Sequence, residues 1–260
     1  VKEVLSPNTR DLGRCADRFS NWSQSMARPE IMGVRDGRHT EVKPMKVFII
    51  GITGKTGSRV AKLLVEQGDQ VSGLYRRPEQ ISLLHAIGAY GVLGDLATIS
   101  AQELASASSG ADVVVFSAGA GEQDNDSMTD AVDGDGVRKT IEAARLARIT
   151  RLLLVSVFPE AWRERNMPKS FEHYMAVKKM ADVELVHSEL EWIILRPSAL
   201  TDDPGTGSVS LSPAEIHTDI SRDDVAATIA SLLHSPRVQK TILEVTTGDT
   251  RIACAVAALN

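Results

Sequence analysis

Lys46-Val47-Phe48-Ile49-Ile50-Gly51-Ile52-Thr53-Gly54-Lys55-Thr56-Gly57 is the stretch that decides the fold. An apolar run ends at a glycine, the pattern of a short strand buried on both faces of a parallel sheet. The next residues, Ser58-Arg59-Val60-Ala61-Lys62-Leu63-Leu64-Val65, repeat apolar positions at helical spacing. Gly51 permits a tight exit from the strand, Gly54 lets backbone approach a pyrophosphate, and Gly57 lets the helix pack closely on the sheet. The free N–H groups and positive dipole end of that helix complete an anion site. Thr53, Lys55 and Thr56 fill the loop between the glycines. The competing reading, a left-handed turn without a ligand, is disfavoured by the strand before and the helix after. A nucleoside-triphosphate loop would need Gly-Lys-Ser/Thr at a fixed spacing after its first glycine, which is not met here, and Lys55-Thr56 stands inside the glycine triplet instead.

Downstream, the pattern alternates. Strands are expected at 46–50, 70–75, 90–93, 112–117, 151–156, 191–195 and 241–246. Helices are expected near 56–67, 78–87, 100–107, 131–147, 170–189 and 222–234. Strand and helix in regular succession imply a parallel sheet with right-handed crossovers and helices on both faces. Upstream, residues 1–44 lack any sustained apolar period and read as an N-terminal extension: a tag, a leader or a docking arm. The folded domain is expected over 45–260.

The second expected strand ends at Arg76-Arg77, about twenty residues past the glycine loop. An acidic residue there would bind the ribose hydroxyls of NAD. Two guanidiniums instead offer bidentate donors for a 2′-phosphate and a flat surface for adenine. NADP(H) is therefore the expected cofactor, with NAD(H) as the alternative.

Composition narrows the function classes. Of the 260 residues, 43% are hydrophobic and 24% charged, which suits a globular enzyme rather than a disordered chain. A formal net charge of -5 argues against nucleic acid or an acidic membrane surface as partner. No apolar stretch reaches the roughly 20 residues of a membrane span. Cys15 and Cys254 are far apart and read as isolated thiols in a reducing, cytoplasmic setting, with no metal-ligand spacing. Asp202-Asp203, beside Pro204-Gly205, reads as a solvated turn rather than a metal pair.

Several motifs in order resemble the short-chain dehydrogenase/reductase superfamily, in its extended or atypical branch, most similar to NmrA-like or sugar-epimerase-like NAD(P)-binding proteins. They are the glycine loop, Gly94-Asp95-Leu96, Ser117-Ala118-Gly119-Ala120, Tyr174-Met175-Ala176-Val177-Lys178, the Leu195–Gly207 stretch and Ile220–Ala226. The resemblance runs from Met45 to about residue 250. It implies a Rossmann-type doubly wound parallel sheet with a small C-terminal substrate-side lobe after residue 197. It also implies that Asp95 and Leu96 approach adenine, that Ser117, Ala118 and Gly119 line the ribose side, and that Pro197 and Ser198 meet the nicotinamide amide.

Tyr174 and Lys178 stand four apart on a helical pattern and so project from one face. A nearby ammonium favours the phenolate, so this tyrosine can serve as acid/base while the nicotinamide carries a hydride. The family places a relay serine in a run of hydroxyl residues after the fifth strand. Here Ser156 is the only hydroxyl available, as a relay or as a structural strand end; the alternative is Val157 or Phe158 at the catalytic station, which would weaken positioning of a substrate carbonyl. Two function classes follow. One is an NADP(H)-dependent oxidoreductase or epimerase-like enzyme acting on a small carbonyl or hydroxyl substrate. The other is a non-catalytic NAD(P)-binding redox-sensing regulator, with a flavin or quinone reductase as a further alternative. Either is expected as a monomer or homodimer.

Overall fold

The computed structural model describes residues 43–120, 126–159, 161–162 and 164–259. The expected N-terminal extension lies, but for its last two residues, outside them, and the compact unit runs from Pro44 to Asn260. Its first half alternates strictly: β1 (Lys46–Ile50), α1 (Lys55–Glu66), β2 (Gln70–Tyr75), a 3-10 turn (Pro78–Gln80) leading into α2 (Ile81–Ala86), β3 (Tyr90–Leu93), α3 (Ala101–Ala107) and β4 (Val113–Phe116). Next come α4 (Asp126–Thr129), a π-helical turn (Asp130–Gly134), α5 (Asp135–Ala147), β5 (Arg151–Val155), α6 (Lys169–Val186) and β6 (Glu191–Pro197). The C-terminal part holds β7 (Ala199–Thr201), β8 (Ser208–Ser212), β9 (Asp219–Ser221), α7 (Arg222–Leu233), β10 (Thr241–Thr247), β11 (Thr250–Arg251) and α8 (Ile252–Ala257).

The large sheet has the order β11-β8-β10-β6-β5-β4-β1-β2-β3. From β3 to β10 every neighbour is parallel, and β8 and β11 are added antiparallel at one edge. This is the doubly wound parallel sheet expected from the alternation. Strand order reverses at β1, which pairs with β2 on one side and β4 on the other. Ligands of such sheets enter the crevice beyond the carboxyl ends of the strands at this reversal.

Buried strands feed two cores. Val47 and Ile49 of β1 pack with Val60, Ala61 and Leu64 of α1 and with the apolar face of α7. Phe48 and Ile50 point the other way, to Val114, Phe116, Leu152 and Leu154, covered by α5 and α6. Side chains alternate across a strand, so one run of five residues supplies both layers.

A buried cation closes the far end of the sheet. Arg151, 9% exposed, donates to the carbonyls of Leu233 (2.7 Å), Leu232 (2.9 Å), Ser235 (3.0 Å) and Val238 (3.4 Å). The last carbonyls of a helix have no intrahelical donor, and the guanidinium supplies one at the end of α7 while escaping burial without partners. Cys254 on α8 is not a free thiol. That corrects its reading as an isolated thiol and removes that support for a reducing compartment. Among the described residues no helix is long and apolar enough to cross a membrane.

Replacing Arg151 by Met keeps the bulk but strands these carbonyls. R151M should lower the free energy of unfolding by about 3 kcal/mol, measured by urea denaturation. A change below about 0.5 kcal/mol would contradict this role.

Candidate functional site

The glycine loop is built by backbone packed on backbone. Gly51 sits at φ +86, and a side chain there would meet the Ser117 carbonyl oxygen at 2.6 Å and the Ala118 nitrogen at 2.7 Å. A side chain on Gly57 would meet the Gly51 oxygen at 2.2 Å. These contacts seat the start of α1 in the crevice between β1 and β4. Gly54 is its N-cap in extended conformation, with no side-chain cap. The first-turn N–H groups therefore lack both intrahelical acceptors and a cap, which is the donor set an anion needs. Thr56 is buried in this turn. The Lys55 ammonium turns instead to Asp202, at 2.7 Å.

Asp202 also receives Arg222 at 3.1 Å and Arg59 at 3.4 Å, while Arg59 reaches Asp223 at 2.7 Å. The hydrogen bond from Lys55, opposed by burial and helped by the charges of Arg222, Lys55 and Arg59, holds the Asp202 carboxyl below the usual carboxylate range. Asp202, exposed as expected for a turn, thus ties the start of α1 to the C-terminal lobe. Among the described residues no cluster of His, Cys, Asp or Glu is arranged to hold a metal.

At the end of β2 the side chains of Arg76 and Arg77 are exposed, and Arg77 pairs with Glu79 at 3.3 Å. Gln80 links this edge to Thr53 of the glycine loop. Asp95 folds the turn after β3 by accepting from the Ala97 N–H at 3.0 Å. Lys139 of α5 donates to the Leu96 carbonyl at 2.6 Å, fixing that turn against the crevice. Ser117 continues the β4 exit by donating its N–H to the Ile50 carbonyl at 2.9 Å.

Tyr174 and Lys178 lie on α6, the lysine 2% exposed. The Lys178 ammonium donates to the Val155 carbonyl at 3.1 Å and stands 3.4 Å from Asp133. Asp133 comes from the π-helical turn, is fully buried, and accepts the Ala120 N–H at 2.9 Å. An extra residue in a helical turn re-aims the side chains that follow it, and such turns recur at functional sites. Ser156, beside Val155, has a buried hydroxyl with no hydrogen-bond partner, and the Asp133 oxygen facing Lys178 makes only the 3.4 Å ion-pair contact. Buried orphans cost about 1–3 kcal/mol each, so each calls for a physical reason. Lys178 thus links Tyr174 of its own helix to the end of β5, and Ser156 is the next residue along that strand's exit.

Burial, opposed by Lys178 and reinforced by Asp133, pushes the Tyr174 pKa up. The sequence expectation had only the lysine and so the opposite direction. Burial works to lower the Lys178 pKa, but Tyr174, Asp133 and Asp182 outweigh it and raise it. The ammonium stays charged and the phenol stays protonated. Asp182 is fixed by Arg196, at 2.8 Å.

An aromatic wall lies next to Tyr174. Phe171 is 6.5 Å from its ring, Trp162 is 5.7 Å from Phe171, and His217 meets Trp162 and Phe158 edge-on at 5.1 Å each. Trp162 has φ +56, a conformation unusual for a large residue. Pro197 ends β6 beside Val245. Ser198 donates its N–H to the Val245 carbonyl at 2.9 Å, and its hydroxyl accepts from the Thr218 N–H at 2.7 Å. The Ser198 side chain thus serves the lobe itself. Asp224 accepts from the Thr206 and Gly207 N–H groups at 2.8 Å each and so joins the two C-terminal motifs. His173 pairs with Asp130 at 2.8 Å and is no part of the Tyr174 station.

Two contributors escape sequence reasoning. Asp133 carries one faint signal, a lone carboxylate within Ala131-Val132-Asp133-Gly134. Gln80 carries none. Two outcomes are expected from this geometry. Gly57→Ala should weaken dinucleotide binding at least tenfold, about 1.4 kcal/mol, by equilibrium titration, whereas Gly110→Ala, strained at φ +78 but meeting no neighbour, should cost stability and leave the affinity of the folded protein unchanged. Asp133→Ala should destabilise the protein by about 3–5 kcal/mol, because Lys178 is left buried without its counterion. The pair D133A/K178M should recover most of that loss in denaturant unfolding, and failure to recover would refute the pairing.

Residues 51–236 match the NAD(P)H-binding family. The chain is 38% identical over 216 residues to the uncharacterized sugar epimerase YhfK of Bacillus subtilis, covering 83% of this chain and all of that protein. Among solved structures, a putative NAD-dependent epimerase/dehydratase from Bacillus halodurans is 33% identical with a TM-score of 0.76, over 82% of this chain and 99% of that one. The oxidoreductase ylbE from Lactococcus lactis is 26% identical with a TM-score of 0.72, over 83% and 96%. With the glycine loop at the strand reversal and the match running through it, the chain belongs to the NAD(P)H-binding family.

Proposed function

We propose that the protein is an NADP(H)-dependent reductase of a small apolar carbonyl or quinone-type substrate, with Tyr174 as proton donor. The observation that carries this reading is the buried Tyr174–Lys178–Asp133 station beside an unpartnered Ser156 hydroxyl. A pure cofactor sensor has no use for a buried ion pair beside a protonated phenol.

The loop fits a dinucleotide: the uncapped amides of α1 would take the pyrophosphate, and Arg76 and Arg77 would take a 2′-phosphate. When bound, the nicotinamide supplies the hydride. The chain's own residues do the rest. Tyr174 donates its hydroxyl proton to the carbonyl oxygen that gains charge, and Ser156 donates a hydrogen bond to that oxygen. Lys178, held charged by Asp133 and the Val155 carbonyl, stabilises the phenolate left behind. The wall of Phe158, Trp162 and Phe171 excludes water and favours a flat, apolar substrate over a heavily hydroxylated one.

The sign of the pH dependence follows. Reduction needs the phenol form, and burial and Asp133 both raise the Tyr174 pKa. With an aldehyde and quinone panel, NADPH oxidation should be flat through neutral pH and fall only on the alkaline side of the ordinary tyrosine value. Tyr174→Phe should lose about 100-fold or more in kcat. A rate that rises with pH through neutrality, or an unimpaired Y174F, would remove the donor role. Replacing Arg76 and Arg77 together by Ala should weaken NADPH at least tenfold while leaving NADH nearly unchanged, and equal losses for both would return the cofactor reading to NAD(H).

A further inference from the structure

The two arginines at the end of β2 are exposed, and long exposed side chains spread over many rotamers. Their backbone does not. A single oxygen, Gln80 Oε1, accepts the N–H of Arg76 at 3.1 Å and of Arg77 at 2.9 Å. The other end of the same amide, Nε2, donates to the Thr53 hydroxyl at 3.1 Å. Two backbone donors converge on one side of the amide, so its orientation is dictated by the network. Gln80 is half-buried and closes the 3-10 turn that starts at Pro78. One side chain thus joins the phosphate loop after β1 to the cationic edge after β2.

That junction lies between the two places where a phosphorylated dinucleotide would be gripped, the helix N-terminus and the dibasic edge. Loop and edge sit on neighbouring strands, β1 and β2, which fix them only up to their last paired residues, Ile50 and Leu74. Beyond those residues, Gln80 is the side chain that holds them in register. We propose that Gln80 is a positioning residue for cofactor selection, holding the Arg76-Arg77 backbone against the glycine loop so that both guanidiniums face a ribose 2′-phosphate. This rests on the NADP(H) reading above and goes further, since it assigns selectivity to an uncharged residue that does not itself need to touch the phosphate. A phosphomonoester needs two directed donors at once, whereas a free 2′-hydroxyl gains little from their alignment. Loss of Gln80 should therefore penalise the phosphorylated cofactor alone.

The test is equilibrium titration of full-length protein with NADPH and with NADH, followed by nucleotide fluorescence. Gln80→Met keeps the bulk and removes all three hydrogen bonds. It should lower the NADPH-to-NADH affinity ratio about tenfold, through NADPH, with NADH within about twofold of wild type. Gln80→Glu retains the acceptor, can receive the Thr53 hydroxyl as donor in place of the amide bond, and adds a negative charge beside the guanidiniums, which should lower the ratio at least as far. Thr53→Val, which cuts only the loop end of the bridge, should lower it less. If Q80M weakens both nucleotides equally, Gln80 is merely structural and the proposal fails. If R76A/R77A abolishes a wild-type preference that Q80M and Q80E both keep, the cofactor reading stands and this inference alone falls. A wild type without preference for NADPH overturns both. Should Q80M fold poorly by thermal denaturation, T53V decides the matter by the same ratio, an unchanged ratio overturning the proposal.

Discussion

Everything in this molecule that faces a ligand depends on one close approach, that of Gly57 at the start of α1 to the Gly51 carbonyl at the end of β1. No Cβ fits there, because an atom at that place would lie 2.2 Å from the oxygen. Gly51 in turn lies against the Ser117 carbonyl and the Ala118 nitrogen at the exit of β4. Three backbone segments are thus locked at the point where the strand order reverses. The lock aims an uncapped helix end into the crevice, and a helix end without a cap favours an anion. The glycines matter through the atoms they lack.

Around that lock the charges are distributed by exposure. Near the loop, Lys55, Arg59 and Arg222 meet Asp202 and Asp223 on the surface, where ion pairs contribute little to stability but can hold one lobe against another. Deeper in, Lys178 and Asp133 form a pair at 3.4 Å with 3% and 1% side-chain exposure. Desolvation of such a pair is expensive and nearly cancels its attraction, so stability alone does not account for its placement. Its effect on Tyr174 does. The carboxylate offsets the lysine's pull towards phenolate, so the tyrosine remains a proton donor, and the ammonium remains ready to stabilise the anion formed on donation.

The sheet and the loop were legible because they are local. Runs such as Lys46–Ile50 and Arg151–Val155 are continuous and apolar, and the glycine spacing lies within seven residues of one turn. Tyr174 and Lys178 were legible for the same reason, four residues apart on one helix. Asp133 was not, because it reaches Lys178 only through a π-helical turn, and one-residue changes of helical register leave no periodic mark. Gln80 acts across 27 residues to Thr53, and such pairings are invisible without the fold. The strands β7, β8, β9 and β11 of the C-terminal lobe are two to five residues long. Alternation over so few positions cannot be told from a loop. The direction of the Tyr174 shift is set by burial and by Asp133, neither of which shows in the local sequence.

The central claim is that the first-turn amides of α1 receive the cofactor's pyrophosphate. Amide hydrogen exchange followed residue by residue, with and without saturating NADPH, tests it most directly. The account predicts that Lys55, Thr56 and Gly57 exchange rapidly in the free protein and become strongly protected on binding. Protection of those amides already in the free protein, or binding that leaves them as exposed to exchange as before, would contradict it.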